Sequence, residues 1–378
     1  MKVVFFVRRI GPYHHARFSA AAKVVDLVVV QTRPASQEYP WDFTAGSNYP
    51  VESFPVNDAE LGIKGSLLHE TVANVLDKHQ PNIVITTGWA DQEYHAVILA
   101  AVRRKINRVV ISDSRYEDVP RRWITEKLKE LILHSYSAAI VAGTRSKAYL
   151  QKLGFDTTNI FQPWDVVDNS YFASKAVSTI SFNERSFLCV SRFIEKKNII
   201  RLIEAFSSYR KSGGHRKLVL AGDGELKDEI VKKISSEGLN SFIEFPGFVQ
   251  YPDLPRYLGQ CLCLILPSVS DQWGLVVNEA MASARPVLVS DQCGCAPDLV
   301  EDGKNGYTFD PLNVQQLADR LMAIDRMSEK EWLAMGDASK RKIATKSTEA
   351  FAKALSDSCS MAMNQKTERR LHTDSQDV

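Results

Sequence analysis

Short apolar runs recur along this chain, each followed by a turn and then by helical spacing. Lys2–Val7, Val24–Val30, Asn82–Thr86, Val109–Ser112 and Ala138–Val141 lie in the first half. Phe187–Val190, Lys217–Ala221, Leu262–Leu266 and Pro286–Val289 lie in the second. A strand with one face in water alternates apolar and polar residues. A strand that is apolar throughout is covered on both faces, as in a parallel sheet flanked by helices. Between the runs come helical patterns such as Leu67/Leu68, Val72 and Val75/Leu76, or Ile199, Leu202/Ile203 and Phe206. The βα alternation occurs in both halves, so the fold class is α/β with two parallel sheets. A length of 378 residues is long for one core and agrees with two domains.

Composition excludes several classes. Lysine and arginine outnumber aspartate and glutamate by only two, a net charge of +2. No nucleic-acid partner is expected, and anion binding should be local. No apolar run approaches 18–20 residues, so no membrane-spanning helix is expected. The start, MKVVFFVRR, has too short an apolar core for a signal peptide. Cys261 and Cys263 share one face of an apolar strand, and Cys293-Gly294-Cys295 lacks a second pair at zinc-site spacing. These features predict a cytoplasmic protein with reduced thiols, no metal and no cofactor.

The chemistry concentrates in Pro267–Ser290. A strand ends, a polar loop Ser268–Gln272 follows, and a helix begins near Trp273-Gly274. Asp271 and Glu279 have seven residues between them. Glu279 falls roughly 7–8 Å beyond Gly274 along the helix axis. The first amides of a helix lack internal partners and carry partial positive charge, which suits phosphate. Gly274 lets a ligand approach the backbone there. One helix end could therefore seat a phosphate while the acids accept hydroxyl protons along the same ligand. The same residues also fit a blander reading, with Asp271 capping the helix and Glu279 solvated.

With Trp273-Gly274 inside and Glu279-Ala280-Met281-Ala282 at its end, this stretch resembles the donor site of retaining glycosyltransferases of family 4. Those enzymes have the two-domain GT-B fold, with two Rossmann-like sheets facing a cleft. The family pattern begins with Glu; here Asp271 stands in its place, one methylene shorter. Ser191-Arg192 through Lys197-Asn198 is similar to the family's Gly-Arg…Lys segment, with Ser191 where Gly is usual. Gly222-Asp223-Gly224 is similar to its Gly-Asp-Gly turn.

The resemblance implies transfer of a sugar from a nucleotide-diphosphate donor to an acceptor hydroxyl with retention, in cell-surface polysaccharide or glycolipid synthesis. It implies that Arg192 and Lys197 neutralise the diphosphate in place of a metal, that Asp271 holds sugar hydroxyls, and that Glu279 holds the ribose. Gly11, Ser191, Gly222, Trp273, Gly274 and Leu275 would complete the donor contacts. On the acceptor side it points to His14, His15, Asp113 and Arg115. Asp113 occupies the place where many relatives carry an active-site His, which leaves its catalytic role open. The catalytic base is not identifiable from these residues. A nucleotide-sugar epimerase of the same fold, a glycoside hydrolase using the two acids, and a non-catalytic sugar-nucleotide binder stay open as alternatives.

The expected boundaries are a first domain over 1–174, a polar linker over 175–185 and a second domain over 186–345. A terminal helix over 346–362 resembles the one that crosses back to the first domain in GT-B folds, and a structureless tail covers 363–378. The segment 120–135 joins Arg121, Arg122, Lys127 and Lys129 to Trp123, Ile124, Leu128 and Leu131. Such a helix can dock on an anionic membrane or pack on the core, and Glu126 and Glu130 dilute its charge. Docking would put the protein at the inner face of the membrane, beside a sugar or lipid-linked acceptor.

Overall fold

The computed structural model describes residues 1–34, 48–55 and 62–374, with side chains to residue 364. Residues 35–47 and 56–61 and the last four residues of the tail lie outside the described residues. The chain forms two compact units. One is Met1–Val166 together with the segment from Thr348 on; the other is Val167–Ser347.

The first unit holds β1 (Lys2–Val7), β2 (Asp26–Gln31), β3 (Val51–Ser53), β4 (Ile83–Thr87), β5 (Asn107–Ser112), β6 (Ala138–Val141) and β7 (Ile160–Phe161). They lie in the order β3-β2-β1-β4-β5-β6-β7, and every neighbouring pair is parallel. The second unit holds β8 (Ser186–Val190), β9 (Leu218–Ala221), β10 (Ile243–Gly247), β11 (Cys261–Leu266), β12 (Val287–Ser290) and β13 (Gly306–Phe309). Their order, β10-β9-β8-β11-β12-β13, repeats the first, again all parallel. In both sheets the order reverses beside the first strand, between β1 and β4 and between β8 and β11. Loops leaving the carboxyl ends of strands at such a reversal diverge and open a crevice.

The apolar runs are covered on both faces, as their composition requires. β11 is buried from Cys261 to Leu266, and Val3, Val4, Phe5 and Phe6 of β1 are fully buried. The last helix runs Thr348–Asp374, beyond the end near residue 362 read from composition. The polar stretch from Asn364 contains neither Gly nor Pro and is rich in Gln, Lys, Glu, Arg and Leu. Polarity therefore removed a core-facing stripe without supplying anything that breaks a helix. Phe351, Leu355, Cys359 and Ala362 of this helix join the core that holds Phe5, Phe18 and Trp164.

Candidate functional site

At the reversal in the second sheet, β8 leads into Ser191–Lys197 and β11 into Pro267–Gly274. Lys197 Nζ donates to Asp271 Oδ2 at 2.5 Å, with the two side chains 15% and 14% exposed. Ser268 Oγ donates to the same carboxylate at 3.3 Å. Val269 N–H bonds the Lys196 carbonyl at 2.9 Å, fixing one loop against the other. Asp271 therefore serves Lys197 and not the helix. Helix Leu275–Ala282 starts at Gly274 without a side-chain cap.

Asn198 does not cap its helix either. It occupies the cap position of helix Ile199–Lys211 in a left-handed conformation, φ 58°, and its side chain makes no capping bond. Its amide instead donates to the carbonyls of Pro267 at 3.0 Å and Pro311 at 2.8 Å. Asn198 thus bolts the Lys197 loop to two neighbouring strand ends.

Two glycines are required by geometry. Gly274 has φ +106°, and a Cβ there would lie 2.5 Å from Leu266 Cδ2. A Cβ on Gly222 would lie 1.8 Å from the Ser191 carbonyl oxygen, so the turns after β8 and β9 touch only because that side chain is missing. Trp273 is buried and its indole N–H donates to Asn278 at 2.9 Å, so its ring belongs to the packing. Leu275 and Val276, the first residues of that helix, offer helix-end amides. Glu279 is fully buried, which overturns the solvated alternative. It lies near enough to Tyr251 for its charge, after burial, to push the phenol's pKa further up.

In the first unit, β1 leads into helix Pro12–Ala21 with Gly11 at its cap. The Gly11 N–H donates to His14 Nδ1 at 3.4 Å, which makes that nitrogen the acceptor. Burial, and then the charge of Arg17, push His14 down to about 3. His15 meets the Tyr49 hydroxyl at 3.0 Å through Nδ1, and partial burial lowers its pKa. Asp113 follows β5; burial first and Asp165 second raise its carboxyl above the usual range. Arg115 is buried and its Nε donates to Asp118 at 2.8 Å, so it is turned inward and not presented to a ligand as its sequence position implied.

Arg17 was not singled out from the sequence. Arg17 is 2% exposed, donates to Asp165 at 3.1 Å and to the Val166 carbonyl at 3.0 Å, and lies 4.2 Å over the Trp164 ring. The available signal was an arginine among Phe18, Ala20 and Ala21 on the buried side of a helix. Among the described residues, no group of three His, Cys, Asp or Glu is placed to hold a metal, and no helix is long and apolar enough to cross a membrane.

Residues 172–356 match the family model described as Glycosyl transferases group 1. Poly(ribitol-phosphate) alpha-N-acetylglucosaminyltransferase of Staphylococcus aureus is 30% identical over 170 residues, which is 45% of this chain and 33% of that protein. Alpha-D-kanosaminyltransferase of Streptomyces kanamyceticus is 29% identical over 140 residues, 37% of this chain and 35% of that one. The match thus spans about a third of the length of these curated relatives. Among solved structures, HepE of Anabaena in complex with UDP and glucose superposes with a TM-score of 0.73 at 18% identity, over 95% of this chain and 99% of that one. The fold is the two-domain α/β fold of GT-B glycosyltransferases.

Proposed function

We propose that this protein transfers a sugar from a nucleotide-diphosphate donor to an acceptor hydroxyl, with retention of anomeric configuration, in the cytoplasm. The observation that carries the reading is the Lys197–Asp271 pair, set at the sheet's reversal beside an uncapped helix start at Gly274. A donor diphosphate would take Lys197 and Arg192 as cationic partners and the amides at Leu275 and Val276 as neutral donors. Charge grows on the phosphate oxygen as the sugar leaves, and fixed cations stabilise that change. Asp271, released from Lys197, would accept from sugar hydroxyls. Glu279 is buried, so its contact with a ribose would follow movement of the residues over it. The similarity to transferases whose names specify polymer, lipid and small-molecule acceptors supports the reaction class and leaves the acceptor open.

Calorimetric titration with UDP, GDP, ADP and their sugars, with and without chelator, tests the proposal. One nucleotide series should bind regardless of chelator, and Lys197→Ala should weaken it at least tenfold. Absence of binding to every member would sink the donor assignment. Binding that requires a divalent cation would keep the donor and overturn the metal-free clamp.

A second reading concerns location. Helix Trp123–Leu133 buries only Leu133, and Trp123, Ile124, Leu128 and Leu131 are 76%, 58%, 57% and 71% exposed. We infer that this face docks on an anionic membrane surface, which would set the enzyme beside lipid-linked acceptors.

A further inference from the structure

A cavity of about 490 Å³ opens at the amino edge of the second sheet. Its lining comes from residues that precede or begin β8, β9, β10 and β11, among them Asn183, Arg185, Lys217, Glu244, Tyr257 and Gln260. The Lys197 and Asp271 loops leave the opposite, carboxyl edge. A strand of about five residues separates the edges by roughly 16 Å, so a small ligand at one edge does not reach the other.

The charge around this cavity is matched at its exposed mouth but not at its buried side. Lys217 is matched by Glu244 at 2.8 Å, and Arg216 by Asp325 at 2.8 Å. Arg185 and Arg285 are each 8% exposed. They bond the carbonyls of Leu258 and Gly259, and Arg185 Nε has no partner among the described residues. Those carbonyls lie in the last turn of helix Leu254–Gln260. A helix end carries only about half a negative charge, against two full positive ones. Both guanidiniums lie over the Trp332 indole, at 4.6 and 5.1 Å. Burial first, and the charge of Arg285 second, disfavour the charged form of Arg185. Glu184, which lines the cavity, and the nearby Glu329 are exposed, and Glu184 bonds Ser181 at 2.7 Å. Water and salt screen such exposed charges, whereas the buried arginines are screened much less. Incompletely paired buried cations are costly, and an anion against Arg185 offsets that cost.

We propose that this cavity binds a small phosphate monoester, at a site separate from the one assigned to the donor. Such a group carries about −1.5 to −2 charge near neutral pH, and the guanidinium fork fits its oxygens. Asn183, Tyr257 and Gln260 are placed to meet hydroxyls on the organic part. The volume falls within the roughly 300–1,000 Å³ of small-molecule sites.

The test is calorimetric titration of the full chain with glucose 6-phosphate as the probe. The proteins are wild type, the double variant Arg192→Ala/Lys197→Ala, Arg185→Gln and Gln260→Glu. Binding should persist in the double variant and weaken at least tenfold in both Arg185→Gln and Gln260→Glu. Gln260 is exposed, so its variant reports on the cavity even where Arg185→Gln fails to fold. Absence of binding to wild type overturns the proposal. So does binding lost in the double variant, and so does binding that Gln260→Glu leaves unchanged.

Discussion

Arg17 is one buried guanidinium facing two carboxylates and an imidazole. Asp165 takes its hydrogen bond at 3.1 Å, so Asp113 gains little from that charge and feels Asp165 as a repulsion. His14, beside the same cation, stays neutral. The two perturbed groups pull stability in opposite directions as pH falls. The unfolded chain protonates His14 near 6.5, while the folded chain resists until about 3, so stability drops across that interval. Folded Asp113 holds its proton to higher pH than the unfolded chain does, so acidification toward 3.8 favours the fold. Relative to wild type, His14→Gln should therefore lose less stability between about pH 7 and pH 4, and Asp113→Asn should lose more. Denaturant midpoints at the two pH values decide it. Identical pH slopes in all three proteins would show that neither group titrates differently on folding. The loops that carry Lys197, Asp271 and Gly274 were legible as turns at strand ends, and the family resemblance singled out Lys197 and Asp271 within them. It hid Arg17 and Asp165, whose contact spans 148 positions and follows no local period.

At the scale of an element, the helix Trp123–Leu133 shows what a sequence pattern leaves undecided. Its extent was readable to within three residues at either end, from 120–135 to 123–133. Which face turns outward was not, because Ile124, Leu128 and Leu131 make an equally good core stripe. The structure turns them to solvent and turns Glu126 toward the body, where it accepts from Lys129 and from the Tyr149 hydroxyl, each at 2.8 Å. Of the two acids that diluted the charge in the sequence, Glu126 is thus spent internally and Glu130 pairs with Lys127 at 2.7 Å, while Arg122 stays exposed on the apolar face. Inserting a Leu side chain into acyl chains is worth about 1.5–3 kcal/mol, so losing two, about 3–6 kcal/mol, should weaken membrane binding at least about a hundredfold. Leu128→Asp/Leu131→Asp should accordingly fail to sediment with phosphatidylglycerol vesicles that carry down the wild type. Its melting temperature should stay close to wild type, since both side chains are exposed in the fold. Equal sedimentation of the two proteins would remove the membrane from the account.

For the whole molecule, the order of the chain and the order of assembly differ. The second unit is one continuous stretch, Val167–Ser347, whereas the first is closed by the segment that begins at Thr348. Phe351 meets Trp164 edge-on at 5.4 Å between ring centroids, and Phe351, Leu355, Cys359 and Ala362 are fully buried against the first sheet. Burying such side chains contributes on the order of 5–10 kcal/mol, comparable to the whole stability of an average domain. The first unit therefore cannot complete its core until the end of the chain is in place. Truncation after Ser347 should abolish the unfolding transition of the first unit while the second still unfolds cooperatively and keeps its affinity for the nucleotide that the full chain binds. Calorimetric scanning combined with nucleotide titration separates the outcomes. Two intact transitions in the truncated chain would mean that the terminal helix is dispensable. Loss of both would mean that the second unit, despite its continuous sequence and its own core around Phe187, Phe206 and Leu264's neighbour Ile265, does not fold alone.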